Sequence, residues 1–389
     1  MVICYKGEIY STQSKCSHFG FNLAKGLLIG DKIICPLHNA GFKITTGQEE
    51  QGPVFGGLKT FKVERKDGKI IVKVPQEGWA ALPEARESPI KEFNKNKKIV
   101  IVGGGAAALS AIDSLRQTGY DGLITVISKE SYLPYDRTLL SKGSDATKYP
   151  GPIRDQQWYE RNGVEFVGET SVVGIDYAHK QVKTSNLPVH YDKLLIATGS
   201  ANRVPPIKGL DQVKYFGLRG VDDYKKINEA IREKGAKNIT IIGAGFIGME
   251  LASAIKMALK DQVNITILEA TDAPLKNVLG EKVGRVLQTL SEKNGIKIHT
   301  SALIKEIASE NNSPKEVILE GSTVPTDVLI MATGVRPAVE FAPELLDKET
   351  SGIKTNVYLQ VDHKDAKDVY AAGDVASYPY WYNGKRVRI

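Results

Sequence analysis

Cys16, His18, Cys35 and His38 are the residues of this chain whose types and spacing imply chemistry most directly. They stand as Cys-x-His in CSHFGFNL (16–23) and as Cys-x-x-His in CPLHNAGF (35–42). Two thiolates and two imidazoles suit tetrahedral zinc, but zinc fingers usually place two cysteines together and two histidines together later in the chain. Here each cysteine has its own histidine on its own loop. That pattern favours a [2Fe–2S] cluster with one cysteine-bound and one histidine-bound iron, each loop gripping both metals. Neutral imidazoles make such a cluster easier to reduce than an all-cysteine one.

A second kind of chemistry is written in glycines. Gly103-x-Gly105-x-x-Ala108 follows the apolar run KIVIV, and Gly243-x-Gly245-x-x-Gly248 follows ITII; a helical pattern comes after each. Such glycines permit a tight turn and bring a pyrophosphate close to a helix N-terminus. One copy is equally well a structural turn, whereas two in strand–turn–helix context carry more weight. An acid ending the next strand would hold a ribose. In the second copy it is Glu269, a carboxylate that favours NAD over NADP. In the first copy Glu130 is the nearest acid, although the expected position falls at Lys129.

The residues around these motifs extend the reading. C-x-H-x-G-x-x-L and C-P-x-H-x-x-x-F resemble the boxes of Rieske domains, with Gly20 and Gly41 allowing close backbone approach and Gly52-Pro53 resembling the family's proline loop. Phe21 and Leu37 stand where high-potential Rieske proteins carry an extra disulfide, and Ala40 and Phe42 replace their serine and tyrosine donors. Fewer hydrogen bonds to sulfur imply a ferredoxin-type, low-potential cluster. LPYDRTLLSK (133–142), LLIATGS (194–200), LIMATGVRP (329–337) and VYAAGDVA (369–376) resemble flavin reductases of the ferredoxin-reductase and apoptosis-inducing-factor type. Together with the front part, the chain is similar to Rieske-containing apoptosis-inducing-factor-like flavoproteins.

That resemblance implies roles residue by residue. Asp374 would bind the ribityl chain of FAD, and Arg137 and Lys142 would contact the flavin. Lys142 and Glu250 would form a catalytic pair near the flavin N5, although on residue types alone they read as a surface ion pair. Val173 would lie by the adenine, and Thr198 and Arg219 would line the FAD site. Gly334 would lie near the nicotinamide, with Phe246 at the turn. The resemblance also runs past both ends of the chain, which therefore reads as a fragment or a short form.

The elements that must position these residues follow from pattern and length. A chain of 389 residues, 42% hydrophobic and 25% charged, suggests two or three globular domains. Residues 1–75 read as short strands with hairpin turns at KG and DG, an all-β Rieske sandwich. Residues 76–97 lack periodicity and read as a linker. Two Rossmann-like α/β domains follow: an FAD-binding domain in two parts, 98–220 and 335–389, with an NAD-binding domain, 221–334, inserted.

Composition narrows the function. The net charge is +7, but the lysines are scattered, which disfavours nucleic acid as a partner. There is no membrane-length apolar run and no signal-peptide pattern. Cys4, Cys16 and Cys35 are the only cysteines, so there is no disulfide framework. An intracellular compartment follows, mitochondrial if the resemblance extends that far and cytoplasmic otherwise. The second part has no C-x-x-C pair for disulfide reduction. The expectation is therefore cofactor chemistry: hydride from NADH to FAD, then single electrons through the [2Fe–2S] cluster to a protein or quinone-like acceptor. The competing reading is an NAD(H)-binding redox sensor or scaffold with little turnover. A structural subunit without flavin ranks third.

Overall fold

A computed structural model describes residues 1–54, 56–76, 90–143, 151–233 and 235–388. Two compact units are present, Met1–Glu92 with Asp113–Tyr120, and Phe93–Ile112 with Asp121–Ile389.

The first unit is built from hairpins. Val2–Tyr5 pairs with Glu8–Ser11, and Lys62–Lys66 with Lys69–Lys73, all antiparallel. Both reversals, Lys6-Gly7 and Asp67-Gly68, have two residues at positive φ, the geometry that matches strand twist in two-residue turns. Between them lies a four-stranded antiparallel sheet in the order Leu27–Ile29, Lys32–Ile34, Gly41–Lys43, Glu49–Gln51. Its core gathers Ile3, Leu23, Ile33, Phe42, Ile44 and Leu58 with Cys16 and Cys35.

The second unit contains the same α/β pattern twice. One five-stranded parallel sheet has the order Val164–Val167, Gly122–Ile127, Asn94–Val102, Lys193–Ile196, Val369–Ala371. The other runs Phe216–Gly217, Val328–Met331, Asn238–Ile242, Asn264–Leu268, Ile296–His299. Taken from the strand before each glycine turn, both read 3-2-1-4. Both also insert a three-stranded antiparallel sheet between their third and fourth strands, Val172–His190 in one and Ile304–Pro325 in the other. The central strands are mostly apolar where they run into the sheet, because both faces of a parallel sheet are covered; Val100, Ile101, Ile239 and Ile241 are buried. No helix of the described residues is long and apolar enough to cross a membrane.

Two segments differ from the sequence reading. The span 76–97 was expected to be a linker, but the strand Asn94–Val102 begins inside it. The Asn94 amide donates to Asp121 O at 2.8 Å, and Lys97 pairs with the Asp121 side chain at 3.0 Å, so lysine- and asparagine-rich chain is drawn into the start of the central strand. The rest of that span between 77 and 89 lies outside the described residues. The strand Phe216–Gly217 belongs to the second sheet although it precedes the expected division at 220/221.

Candidate functional site

The two cysteine–histidine loops are copies of one turn. Cys16 N–H donates to Phe21 O at 2.8 Å and Gly20 N–H to Cys16 O at 2.9 Å. Cys35 N–H donates to Ala40 O at 2.8 Å and Asn39 N–H to Cys35 O at 2.9 Å. The fifth residue of each turn is left-handed, Gly20 at φ 69° and Asn39 at φ 62°. Glycine and asparagine are the residues that tolerate this conformation best. Gly41, by contrast, is required by packing, since a Cβ there would lie 2.9 Å from Ile34 Cδ1 and 3.1 Å from Gln51 Cβ.

This geometry buries both cysteines, leaves His38 exposed and sets the His18 and His38 rings 4.8 Å apart. The thiols lie within mutual hydrogen-bonding reach, and burial pushes the Cys16 thiol up, offset in part by the backbone amides of His18 and Phe19. Among the described residues no three His, Cys, Asp or Glu side chains gather around one ion. Two buried cysteines and two neighbouring imidazoles supply the donor types of a two-iron cluster with mixed ligation. Ser17 Oγ donates to Gly56 O at 2.7 Å, fastening the first loop to the segment after Pro53.

The glycine turns are likewise duplicated. Gly103 N–H donates to Ile127 O and Gly243 N–H to Leu268 O, both at 2.8 Å. A Cβ on Gly103 would lie 2.3 Å from Ala197 O, and one on Gly243 2.4 Å from Ala332 O. Each first glycine thus packs against the Ala-Thr-Gly that ends the neighbouring strand, where the strand order reverses and α/β sheets bind ligands. A Cβ on Gly248 would meet Gly243 O at 2.1 Å, whereas the first copy fits a buried Ala108. The middle glycines differ in kind. Nothing lies within 4 Å of a Cβ built on Gly105 or Gly245. The protein itself does not need glycine there; a ligand approaching the open helix end would.

The residues assigned to the flavin largely converge. Arg219 Nη2 donates to Asp374 Oδ2 at 3.1 Å, and Ser200 Oγ donates to the same oxygen at 2.5 Å. Arg137 donates to the Arg219 carbonyl and, at 2.7 Å, to Glu130 Oε1. Thr198 Oγ1 donates to Ala338 O at 2.7 Å. Gly373 sits against Ala107 at the start of the helix Ala106–Gln117, which brings the loop of Asp374 to the first glycine turn. Lys142 Nζ and Glu250 Oε2 are 2.8 Å apart, with Ser141 Oγ on the same oxygen at 2.5 Å. Val173 does not join them in any hydrogen bond or core contact; its side chain is 61% exposed while Val172 and Ile175 pack inward.

At the second turn, Glu269 accepts from the Ala244 amide at 2.7 Å and from the Thr271 amide and hydroxyl at 2.8 and 2.9 Å. Phe246 is half-exposed at the first position of its helix, and Gly334 is left-handed and open. The matching ladders make Ser128 the counterpart of Glu269, because Ile127 and Leu268 occupy the same rung. Glu130 lies two residues further on, and its carboxylate is taken up by Arg137 and by Tyr135 OH at 2.7 Å. Sequence reasoning also missed Ser141, Ser200 and Asn39. Ser200, directly after Ala-Thr-Gly, was the one with a local signal.

Comparison with known proteins matches this geometry to relatives. The profile described as pyridine nucleotide-disulphide oxidoreductase matches residues 97–387, and that of the Rieske [2Fe-2S] domain matches residues 1–62. The chain is 30% identical over 394 residues to apoptosis-inducing factor 3 of Homo sapiens, covering 98% of this chain and 64% of that one. It thus spans less than two thirds of that relative's length. It is 34% identical over 294 residues to the biphenyl dioxygenase system ferredoxin–NAD(+) reductase component of Paraburkholderia xenovorans, covering 74% of this chain and 69% of that one. Among solved structures, a ferredoxin reductase for the CYP199A2 system from Rhodopseudomonas palustris superposes with a TM-score of 0.68 at 26% identity, covering 76% of this chain and 72% of the other. A covalent putidaredoxin reductase–putidaredoxin complex gives the same four values.

Proposed function

The chain belongs to the pyridine nucleotide-disulphide oxidoreductase family and carries a Rieske [2Fe-2S] domain, and from this premise we propose that it oxidises NADH through a bound FAD and delivers the electrons, through the two-iron cluster, to a separate acceptor. The observation that carries the reading is the pair of glycine turns, each open only at its middle glycine, in one chain with a paired cysteine–histidine site. When bound, FAD takes a hydride from the two-electron donor NADH and gives electrons singly, as a two-iron cluster requires.

The chain's own residues supply the placement. The turn at Gly103 and Gly105, with Asp374, Arg219, Arg137 and Thr198, holds the FAD. The turn at Gly243 and Gly245, with Glu269, holds NAD(H), and the Glu269 carboxylate repels the extra phosphate of NADP. Gly334 and Phe246 line the nicotinamide side. Lys142 and Glu250 place an ion pair beside the reacting ring. Cys16 and Cys35 bind one iron, and His18 and His38 the other. The matched residues 97–387 contain no cysteine and so carry no disulphide pair of their own. The named relatives include reductases of ferredoxins and of putidaredoxin. In this chain an iron–sulfur domain on the same polypeptide takes the ferredoxin's place, and the acceptor beyond it is a protein or a quinone-like molecule.

A second reading, a redox sensor that binds NAD(H) with little turnover, is favoured by the similarity to apoptosis-inducing factor 3 along nearly the whole chain. Steady-state NADH oxidation with an artificial electron acceptor separates the two. Turnover on the order of 1 per second or faster supports the reductase. A long-lived NADH–flavin complex that the acceptor does not discharge supports the sensor.

A further inference from the structure

We propose that Ser141 is a positioning residue that fixes the Glu250 carboxylate against Lys142 and keeps it there in both of its protonation states. The proposal rests on the reading of Lys142 and Glu250 as groups beside the flavin. Ser141 is the last residue of the short helical turn Arg137–Ser141, capped by Asp136, and it is 6% exposed. Its Oγ lies 2.5 Å from Glu250 Oε2, and Lys142 Nζ lies 2.8 Å from that same oxygen. Neither bond uses Oε1. Two donors on one oxygen fix the plane of the carboxylate, which a single flexible lysine cannot do.

The second contact of each donor gives the clamp its tolerance. Ser141 Oγ and Lys142 Nζ each lie 3.2 Å from Thr138 O. A hydroxyl has one proton to give. With Glu250 ionised, Ser141 donates to it. With Glu250 protonated, the carboxyl donates to Ser141 Oγ, and the serine proton turns to the Thr138 carbonyl. No heavy atom moves in the exchange. Of the elements packed on the helix of Glu250, Asn238–Ile242 and Asn264–Leu268 carry no titratable side chain, Ile296–His299 carries Lys297 and His299, and Lys260–Gln262 carries Lys260 and Asp261. The turn Arg137–Ser141 carries Arg137 and leads to Lys142, the charged group bonded to Glu250.

The test is a carboxyl titration of Glu250 by carbon-13 NMR, assigned by its loss in Glu250→Gln and followed in wild type, Ser141→Ala and Ser141→Thr. The bond that Ser141 donates to the ionised carboxylate is charge-assisted and stronger than the one it accepts from the neutral carboxyl, so Ser141→Ala is expected to raise the proton affinity of Glu250 about fivefold and Ser141→Thr to restore it. The acidic limb of flavin reduction by NADH should move with it. An unmoved Glu250 titration in Ser141→Ala, or an equal rise in the threonine variant, overturns the proposal. If the titration moves as expected in a protein that NADH does not reduce, the positioning role stands and the reductase reading falls.

Discussion

Arg219 Nη2 donates to Asp374 Oδ2 at 3.1 Å across 155 residues of chain, while the Arg219 carbonyl accepts from Arg137. A single residue therefore connects the PYDR segment to the loop of the fifth strand. Neither segment alone forms the candidate flavin site; the insertion of a complete second α/β fold between them leaves this contact as part of what closes it.

Removing the carboxylate should therefore affect the ligand more than the fold. Asp374→Ala is expected to lower flavin retention more than tenfold. The Arg219–Asp374 pair itself is partly exposed, 28% and 43%, so its loss should cost the flavin-free protein less than about 1 kcal/mol. Flavin absorbance per protein after gel filtration, beside a melting curve of the flavin-free form, checks both. A large loss of stability with flavin retained would contradict the assignment.

The glycines divide into two classes with opposite expectations. Gly103→Ala forces a Cβ to 2.3 Å from a backbone carbonyl at φ 111°, and should destabilise by about 2 kcal/mol or more. Gly105→Ala meets open space. It should leave the melting temperature nearly unchanged and weaken flavin binding, and Gly245→Ala should do the same for NADH alone. Isothermal titration with each ligand reads this directly.

For the cluster, His18→Ala and Cys35→Ser should each abolish iron and sulfide incorporation. A redox titration of the intact protein should place the midpoint below about +200 mV, because Ala40 and Phe42 bring no hydroxyl to the sulfurs. A midpoint well above that would show hydrogen bonds that these residues cannot make. Zinc in freshly isolated protein would restore the tetrahedral alternative.

Asp368 carries the pH prediction. Hydrogen bonds first from Lys180 and then from Lys193 hold its carboxyl at about 2, at the start of the strand Val369–Ala371. A depressed carboxyl contributes stability above its unfolded value of about 3.9 and loses it as pH falls through the folded one. With the side chain 36% exposed, solvent screening limits the effect to about 0.5–1 kcal/mol. Asp368→Asn should melt lower than wild type at pH 7, and the gap should close as the pH approaches 2. A constant gap would assign the loss to packing instead.

What was legible in the sequence was whatever repeats locally. The two cysteine–histidine boxes and the two glycine turns stood out because each packs its whole requirement into a few consecutive residues. The hairpin turns at Lys6-Gly7 and Asp67-Gly68 were legible for the same reason. What depends on register was not. Glu130 looked like the ribose acid because it is the nearest carboxylate, yet the ladder places Ser128 on that rung and spends Glu130 on Arg137 and Tyr135. Asn39 shares its left-handed role with Gly20, but an asparagine carries no such signal until the second turn is seen to copy the first. The start of the strand at Asn94 was hidden because a lysine-rich segment joins a sheet through backbone bonds, to which hydropathy is blind.

The most direct test of the central claim is an anaerobic titration of the flavin- and iron-loaded protein with NADH, followed by absorption and electron paramagnetic resonance. Loss of the flavin band together with a Rieske-type signal of about one spin per chain is the predicted result. A bleached flavin beside a cluster that stays oxidised, although chemical reductants do reduce it, would contradict it.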